Sequence, residues 1–350
     1  MTIEADVRTA LNDPTSRRTE EGAMMKAWRS HQAGGPESLV LEDVPVPEPT
    51  GDEILVKVQG VGINFPDGLF LRDLYQVKPP RPLVPGSEFS GVVAKTGPAA
   101  TDFAVGDPVI GRCGWGAMAQ YLALSQGKCV RLPESLPRVE AAAFTFVYAT
   151  AYHALHDQAA LQPGETLLVL GASGGVGLSA IEIGKVLGAK VIACASTAAK
   201  LQVCREHGAD ETINYVDEDM RARVKAITQG KGVDVIYDPV GGKYSELALR
   251  DMAWGGRLLV VGFADGEIPK IPLNLPLIKG CSIVGVWWGQ WSKGNWDQHG
   301  RNVAQLGAWF REGKIKPRIC AAFPLERAAD ALKVLAERKV TGKVVLTVDS

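Results

Sequence analysis

Hydrophobic positions along this chain fall into two regimes. From Met25 to about Lys128 they form short runs broken by Gly and Pro: Ile54–Val58, Gly91–Ala94, Pro108–Ile110 and Ala119–Leu124. That pattern predicts an antiparallel β lobe with few helices. A helical spacing follows over 140–158, and from Thr166 apolar runs alternate with helical stretches. Strands are predicted at 167–170, 191–195, 211–214, 233–237, 256–262 and 282–286, with helices such as 218–229 and 243–252 between them. Such alternation predicts a doubly wound parallel sheet, an α/β fold. Helices at 302–312 and 325–337 and strands at 318–322 and 344–348 end the pattern. Periodicity leaves open which sheet receives the last strand, and a return to the N-terminal β lobe would make that lobe discontinuous.

The densest signal is Thr166 to Ala195, TLLVLGASGGVGLSAIEIGKVLGAKVIACA. It reads as strand, glycine turn, helix and strand, one βαβ unit. Gly174, Gly175, Val176 and Gly177 are placed to line a pyrophosphate, with the helix N-terminus aimed at the anion. In register with Gly174 and Gly177, Ala172 stands where a first glycine is usual, with Gly171 beside it. The end of the second strand reads Ala195-Ser196-Thr197, followed by Lys200, with no Asp or Glu to bond a ribose 2′-hydroxyl. Two hydroxyls and a cation there favour NADPH over NADH. The same residues also fit a helix cap and a solvated lysine.

Composition narrows the field. The chain has 350 residues, 46% hydrophobic and 22% charged, and a net charge of −1. That size fits two domains, and the neutral balance argues against nucleic acid or an anionic membrane as partner. No apolar run approaches a membrane span. Six scattered cysteines without C-x-x-C spacing are expected to be reduced, as in a cytoplasmic protein. Residues 1–23 are polar and mixed in charge, read as a disordered or loosely attached extension without a secretory signal's apolar core.

Beyond the glycine turn, several segments carry a resemblance. They are Gly60-Val-Gly-Ile-Asn-Phe-Pro-Asp67, Leu74-Tyr75, Val84-Pro-Gly-Ser-Glu-Phe-Ser-Gly91, Gly106-Asp-Pro-Val109, Asn214-Tyr215, Asp238-Pro-Val-Gly241 and Thr341-Gly342-Lys343. With these the chain resembles the zinc-free quinone oxidoreductase (zeta-crystallin-like) branch of the medium-chain dehydrogenase/reductase superfamily, from Met25 to Val348. The resemblance implies a GroES-like catalytic domain (24–146 and 290–350) split around a Rossmann domain (147–289). It implies an active site in the cleft, NADPH as cofactor, and a homodimer joined through the nucleotide domains. Ser282–Trp288 is the candidate dimer edge, with ordinary sheet core as the other reading.

Zinc-dependent relatives carry a Cys near Asn64–Asp67 and a Gly-His-Glu where this chain has Gly86-Ser87-Glu88. Neither the Cys nor the His is present, so no metal is expected. His153-x-x-His156 is read as a structural pair. Zinc-free chemistry must polarise a carbonyl with hydrogen-bond donors while NADPH delivers hydride to a conjugated carbon. The resemblance assigns Asn64, Tyr75 and Asp67 to the catalytic pocket. Asn64 is to donate its amide N–H, Tyr75 its hydroxyl, and Asp67, taken as an ordinary ionised carboxylate, is to orient its neighbours. Each residue type also has an ordinary structural use, as turn, half-buried aromatic and helix cap respectively.

Thr150, Tyr215, Gly262 and Phe263 are expected at the cofactor, and Lys343 either there or on the surface. Trp287, Trp288, Trp291 and Trp296 suggest a bulky, flat or apolar substrate, or a dimer contact. The reading is an NADPH-dependent oxidoreductase of quinones or α,β-unsaturated carbonyls. The alternatives are an enoyl- or acryloyl-CoA reductase and a cofactor-binding structural or RNA-binding crystallin-like protein.

Overall fold

The computed structural model describes residues 22–132 and 136–348. The extension expected at 1–23 lies, up to residue 21, outside the described residues. A hairpin, β1 (Met24–Ser30) and β2 (Leu39–Pro45), precedes the long strand β3 (Glu53–Ile63) and the short helix α1 (Phe65–Leu71). Strands β4 (Glu88–Thr96), β5 (Pro108–Arg112), β6 (Tyr121–Ser125) and β7 (Cys129–Arg131) complete the first part of the lobe. Two helices, α2 (Arg138–Ala142) and α3 (Thr145–Tyr152), then lead through a π-helical turn at 153–158 into the second lobe. The helix expected over 140–158 is therefore broken, at Ala143–Phe144 and again where the hydrogen-bond step widens.

The second lobe alternates strands and helices: β8 (Thr166–Val169), α4 (Gly175–Val186), β9 (Lys190–Ala195), α5 (Ala198–Glu206), β10 (Glu211–Asn214), α6 (Met220–Ile227) and β11 (Val233–Asp238). It continues with α7 (Gly242–Arg250), β12 (Met252–Val260), α8 (Asn274–Lys279) and β13 (Ser282–Gly285). These strands form one parallel sheet in the order β10-β9-β8-β11-β12-β13. Val233–Asp238 is buried along its whole length, as a strand covered by helices on both faces must be. The order reverses direction between β8 and β11, and a crevice opens beyond the carboxyl ends there.

Helices α9 (Trp288–Gly294) and α10 (Trp296–Arg311) follow, then β14 (Ile319–Pro324), α11 (Ala328–Ala336) and β15 (Lys343–Thr347). The last strand pairs antiparallel with β3, Val344 opposite Ile63 and Thr347 opposite Gly60, with β14 beside it. The chain thus returns to the lobe it started from. Trp288, Leu306 and Ile315 lie in the hydrophobic core of the parallel-sheet lobe, together with Val147 and Ile181.

Candidate active site

The glycine turn sits at the switch point. Gly171, not Ala172, makes the tight bend, with φ of +57°, a left-handed angle that glycine takes without steric penalty. At Gly177 a Cβ would fall 2.6 Å from the carbonyl oxygens of Gly171 and Ala172, so only glycine lets α4 pack this closely. A Cβ on Gly174 would meet only Gly171 O at 3.6 Å, leaving room for an approaching pyrophosphate. The first turn of α4, with Gly175, Val176 and Gly177, presents free N–H groups there. A dinucleotide therefore fits this cradle.

At the end of β9, Lys200 Nζ donates to Ser196 Oγ at 3.3 Å and to the Arg338 carbonyl at 2.8 Å. Thr197 Oγ1 accepts from Lys200 N at 3.3 Å and so caps α5, with its own O–H left to donate. Tyr215 lies against Tyr244 with ring centroids 4.6 Å apart. Burial pushes the Tyr215 hydroxyl up to about 12, while Ser196 acts in the opposite direction. Ser196, Lys200 and Tyr215 thus gather at one end of the crevice. Thr150 is buried in α3. Gly262 and Phe263 follow β12, and Phe263 packs beside Gly241.

The other end holds a buried charged network. Asn64 caps α1 in extended conformation, and its backbone N–H donates to Asp67 Oδ2 at 2.8 Å. Its side-chain Nδ2 donates to Gly62 O at 3.2 Å and Glu88 Oε1 at 2.9 Å. Its Oδ1 accepts from Lys343 Nζ at 2.6 Å. Both amide protons are therefore engaged within this network.

Lys343 is 4% exposed and so is not a surface lysine, and its stem passes beside Gly175 of the glycine turn. Its ammonium also bonds Ile63 O at 2.9 Å and pairs with Glu88 Oε1 at 2.8 Å. The other Glu88 oxygen accepts from Phe146 N at 2.8 Å, tying β4 to α3. One residue earlier, Gly342 N donates to Ser173 O at 2.9 Å, so the same segment clips the catalytic lobe to the glycine turn. Sequence reasoning missed Glu88 as a hub, although it stands in the Gly-Ser-Glu already singled out.

Asp67 is fully buried and accepts from Ser87 Oγ at 2.5 Å. Burial pushes its carboxyl up to about 6, opposed by Ser87, Asn64 and the Lys343 charge. It thus stays largely ionised at neutral pH, as expected, with its carboxyl well above the ordinary range. Tyr75 is half-buried beside Phe70, with ring centroids 4.7 Å apart. Burial raises its hydroxyl above the ordinary value, with Trp287 and Arg112 acting against that. Tyr75 stays protonated at neutral pH and can donate a hydrogen bond.

The tryptophans divide. Trp288 is 3% exposed and packs on Phe146 and His299, so it is core and not pocket rim as expected. Trp291 stacks on His153 at 4.0 Å. Trp287 and Trp296 remain exposed. His153 and His156 both bond Asp157, at 2.9 and 2.8 Å. Among the described residues, no three His, Cys, Asp or Glu side chains converge as a metal site.

A six-stranded parallel sheet with a glycine turn at its switch point, set against a β lobe completed by the chain's last strand, defines the architecture of a medium-chain dehydrogenase/reductase. Comparison with known proteins agrees. Residues 50–134 match the family model for the alcohol dehydrogenase GroES-like domain, and residues 175–305 that for zinc-binding dehydrogenases. The chain is 41% identical over 337 residues to a quinone oxidoreductase-like protein 2 homolog of Nematostella vectensis, covering 95% of this chain and 90% of that protein.

Among solved structures, it is similar to the Pseudomonas syringae quinone oxidoreductase, with TM-score 0.88 and 31% identity over 93% of this chain and 100% of that one. It is likewise similar to the Escherichia coli quinone oxidoreductase complexed with NADPH, with TM-score 0.87 and 30% identity over 92% and 99%. The chain belongs to the zinc-free quinone oxidoreductase branch of the medium-chain dehydrogenase/reductase superfamily.

Proposed function

We propose that this protein is an NADPH-dependent oxidoreductase that passes hydride to a quinone or an α,β-unsaturated carbonyl. The observation that carries the reading is the Ser196, Lys200 and Tyr215 group beside the glycine turn, with no carboxylate at the end of β9. A 2′-phosphate is favoured there and an adenosine diol is not. NADPH when bound supplies the hydride. The α4 N-terminus holds the pyrophosphate. Tyr75 donates its hydroxyl proton in a hydrogen bond to the acceptor oxygen as negative charge grows on it. Asn64, Glu88 and Lys343 fix the floor of the cleft, and Asp67 holds the start of α1.

The test is NADPH oxidation followed with a panel of quinones, enones and enoyl-CoA thioesters, with NADH in parallel. Turnover with quinones or enones and little with NADH is expected. Turnover with acyl-CoA alone would transfer the assignment to a thioester reductase. NADPH binding without turnover on any acceptor would point to a non-enzymatic role. The Lys200→Ala variant should lower kcat/KM for NADPH by about tenfold and leave NADH nearly unaffected, since one charge-assisted contact is lost. Equal losses with both cofactors would remove Lys200 from the 2′-phosphate site.

The proposed assembly is a homodimer through the parallel sheet. Among the described residues, strand β13 pairs only with β12 and leaves an open edge. Near it Trp254, Leu273, Leu277, Ile278 and Ile283 are exposed at 81, 79, 77, 63 and 40%. Uncovered apolar patches beside a free strand edge call for a partner. Placing a charge there with Ile283→Asp should weaken self-association about thirtyfold or more, as for a central interface residue. Sedimentation across a concentration series reads this directly. A wild-type monomer at every concentration would refute the dimer. Among the described residues no helix is long and apolar enough to cross a membrane.

A further inference from the structure

Beyond the carboxyl end of β13, the cleft is lined by donors. Arg112 ends β5 directly opposite Glu88 on β4, so both side chains lie on the face that carries the buried network. Glu88 nevertheless pairs with Lys343 and not with Arg112. The guanidinium bonds only neutral acceptors: Ser292 Oγ at 2.6 Å and, more weakly, Gly289 O at 3.3 Å. It lies over the rings of Trp288 at 4.8 Å and Trp296 at 5.8 Å. Its Nε is buried without a partner.

The other titratable groups facing it are Tyr75, Cys113 and His299. Burial and the Arg112 charge hold His299 down to about 4, so it is neutral. The nearby Asp157 is taken by His153, His156 and Asn302. A half-buried arginine thus has no carboxylate among the described residues, where such a cation ordinarily requires one.

Gly289 shows where a ligand group could sit. A Cβ there would lie 3.7 Å from Arg112 Nη1 and 3.9 Å from Trp287 Nε1. Tyr75 stands beside both residues. Guanidinium N–H and indole N–H therefore border one uncrowded spot, with the Tyr75 phenol against the indole and no acidic side chain among them.

We propose that Arg112, Trp287 and Tyr75 form an anion-recognising subsite, and that the preferred acceptor carries a carboxylate-like group close to its reducible carbon. The proposal rests on the hydride-transfer reading above. It addresses which acceptor is chosen. The anion must be near the acceptor carbon because Tyr75, the donor to the acceptor oxygen, is itself part of the subsite. A distant phosphate, such as that of a CoA chain, does not meet this requirement.

The test compares 1,2-naphthoquinone with 1,2-naphthoquinone-4-sulfonate, the same ring without and with an anionic group, for wild type and Arg112→Gln. The ratio of kcat/KM for the sulfonate over the neutral quinone should fall at least about tenfold in the variant, the value of one charge-assisted contact. An unchanged ratio would overturn the proposal. An equal loss on both quinones would overturn it too, because Arg112 would then act on the oxyanion common to both.

Since Arg112 also packs α9 on β5, two arms do not depend on that variant folding. In wild type, 2-naphthalenesulfonate should inhibit at least about tenfold more strongly than 2-naphthalenemethanol. Gly289→Ala, which puts a methyl on the spot and leaves Arg112 in place, should reduce sulfonate binding measured by calorimetry. Equal inhibition by the two naphthalenes, or undiminished sulfonate binding in Gly289→Ala, would refute the subsite. If wild type turns over neither quinone, the quinone arm of the hydride-transfer reading fails, and the sulfonate titrations still decide the anion site.

Discussion

Replacing Lys343 by methionine is expected to destabilise the protein by about 3–5 kcal/mol, the usual consequence of removing one partner of a buried ion pair. Methionine roughly matches the lysine stem in volume, so the loss is electrostatic. Glu88, 1% exposed, would be left with no cation to face it. Ile63 O and Asn64 Oδ1 would each lose a donor in the same step. Urea denaturation at pH 7 measures the loss. Adding Glu88→Gln to the variant should recover part of it, so that the double substitution costs less than the sum of the singles. A loss under about 1 kcal/mol for Lys343→Met, within the range of surface pairs, would show the pair to be far more hydrated than its geometry indicates. The same substitution should push the Asp67 carboxyl further up, because the Lys343 charge is one of the influences holding it down.

Asp67 itself should impose a measurable pH dependence on stability. Its carboxyl is raised from 3.8 to about 6 in the folded protein, chiefly by burial. The folded state therefore holds this proton more tightly than the unfolded state. Where the folded state binds more protons, stability falls as pH rises. The unfavourable contribution of Asp67 is absent below its unfolded value, grows through the window up to about 6, and is complete above it. Over that interval it amounts to about 3 kcal/mol.

The comparison is with Asp67→Asn, in which the group cannot titrate. Between pH 4 and pH 7 wild type should lose about 2.4 kcal/mol relative to the variant, whatever constant offset the amide introduces against Ser87 and Asn64. Other carboxylates titrate in both proteins and cancel in the difference. A flat difference across this window would mean that Asp67 ionises at its ordinary value, and that water or its hydrogen bonds offset burial.

Much of this architecture is legible in the chain. Strands at 191–195, 211–214 and 233–237 are found at 190–195, 211–214 and 233–238, because buried parallel strands are nearly continuous apolar runs that need no partner to be recognised. The glycine turn and the missing acid after Ala195 are equally local, and the turn marks where a dinucleotide fits. Asn64, Asp67, Tyr75 and Lys343 were also visible as residues to watch.

Their roles were not visible, because each depends on partners distant in sequence. Asn64 is hydrogen-bonded to Glu88 and to Lys343, the latter 279 positions away. Asp67 changes character because folding removes water from it, and no local pattern records that. The break of 140–158 into two helices and a π-turn, the burial of Trp288, and the turn of Lys343 into the catalytic lobe are likewise outcomes of packing. By itself the sequence determined the elements, the sheet type and the phosphate cradle, which rest on local propensity and periodicity. Only the tertiary structure decided which charges meet, which are left without a counter-ion at Arg112, and which sheet the final strand completes, since those are set by contacts between segments that no periodicity connects.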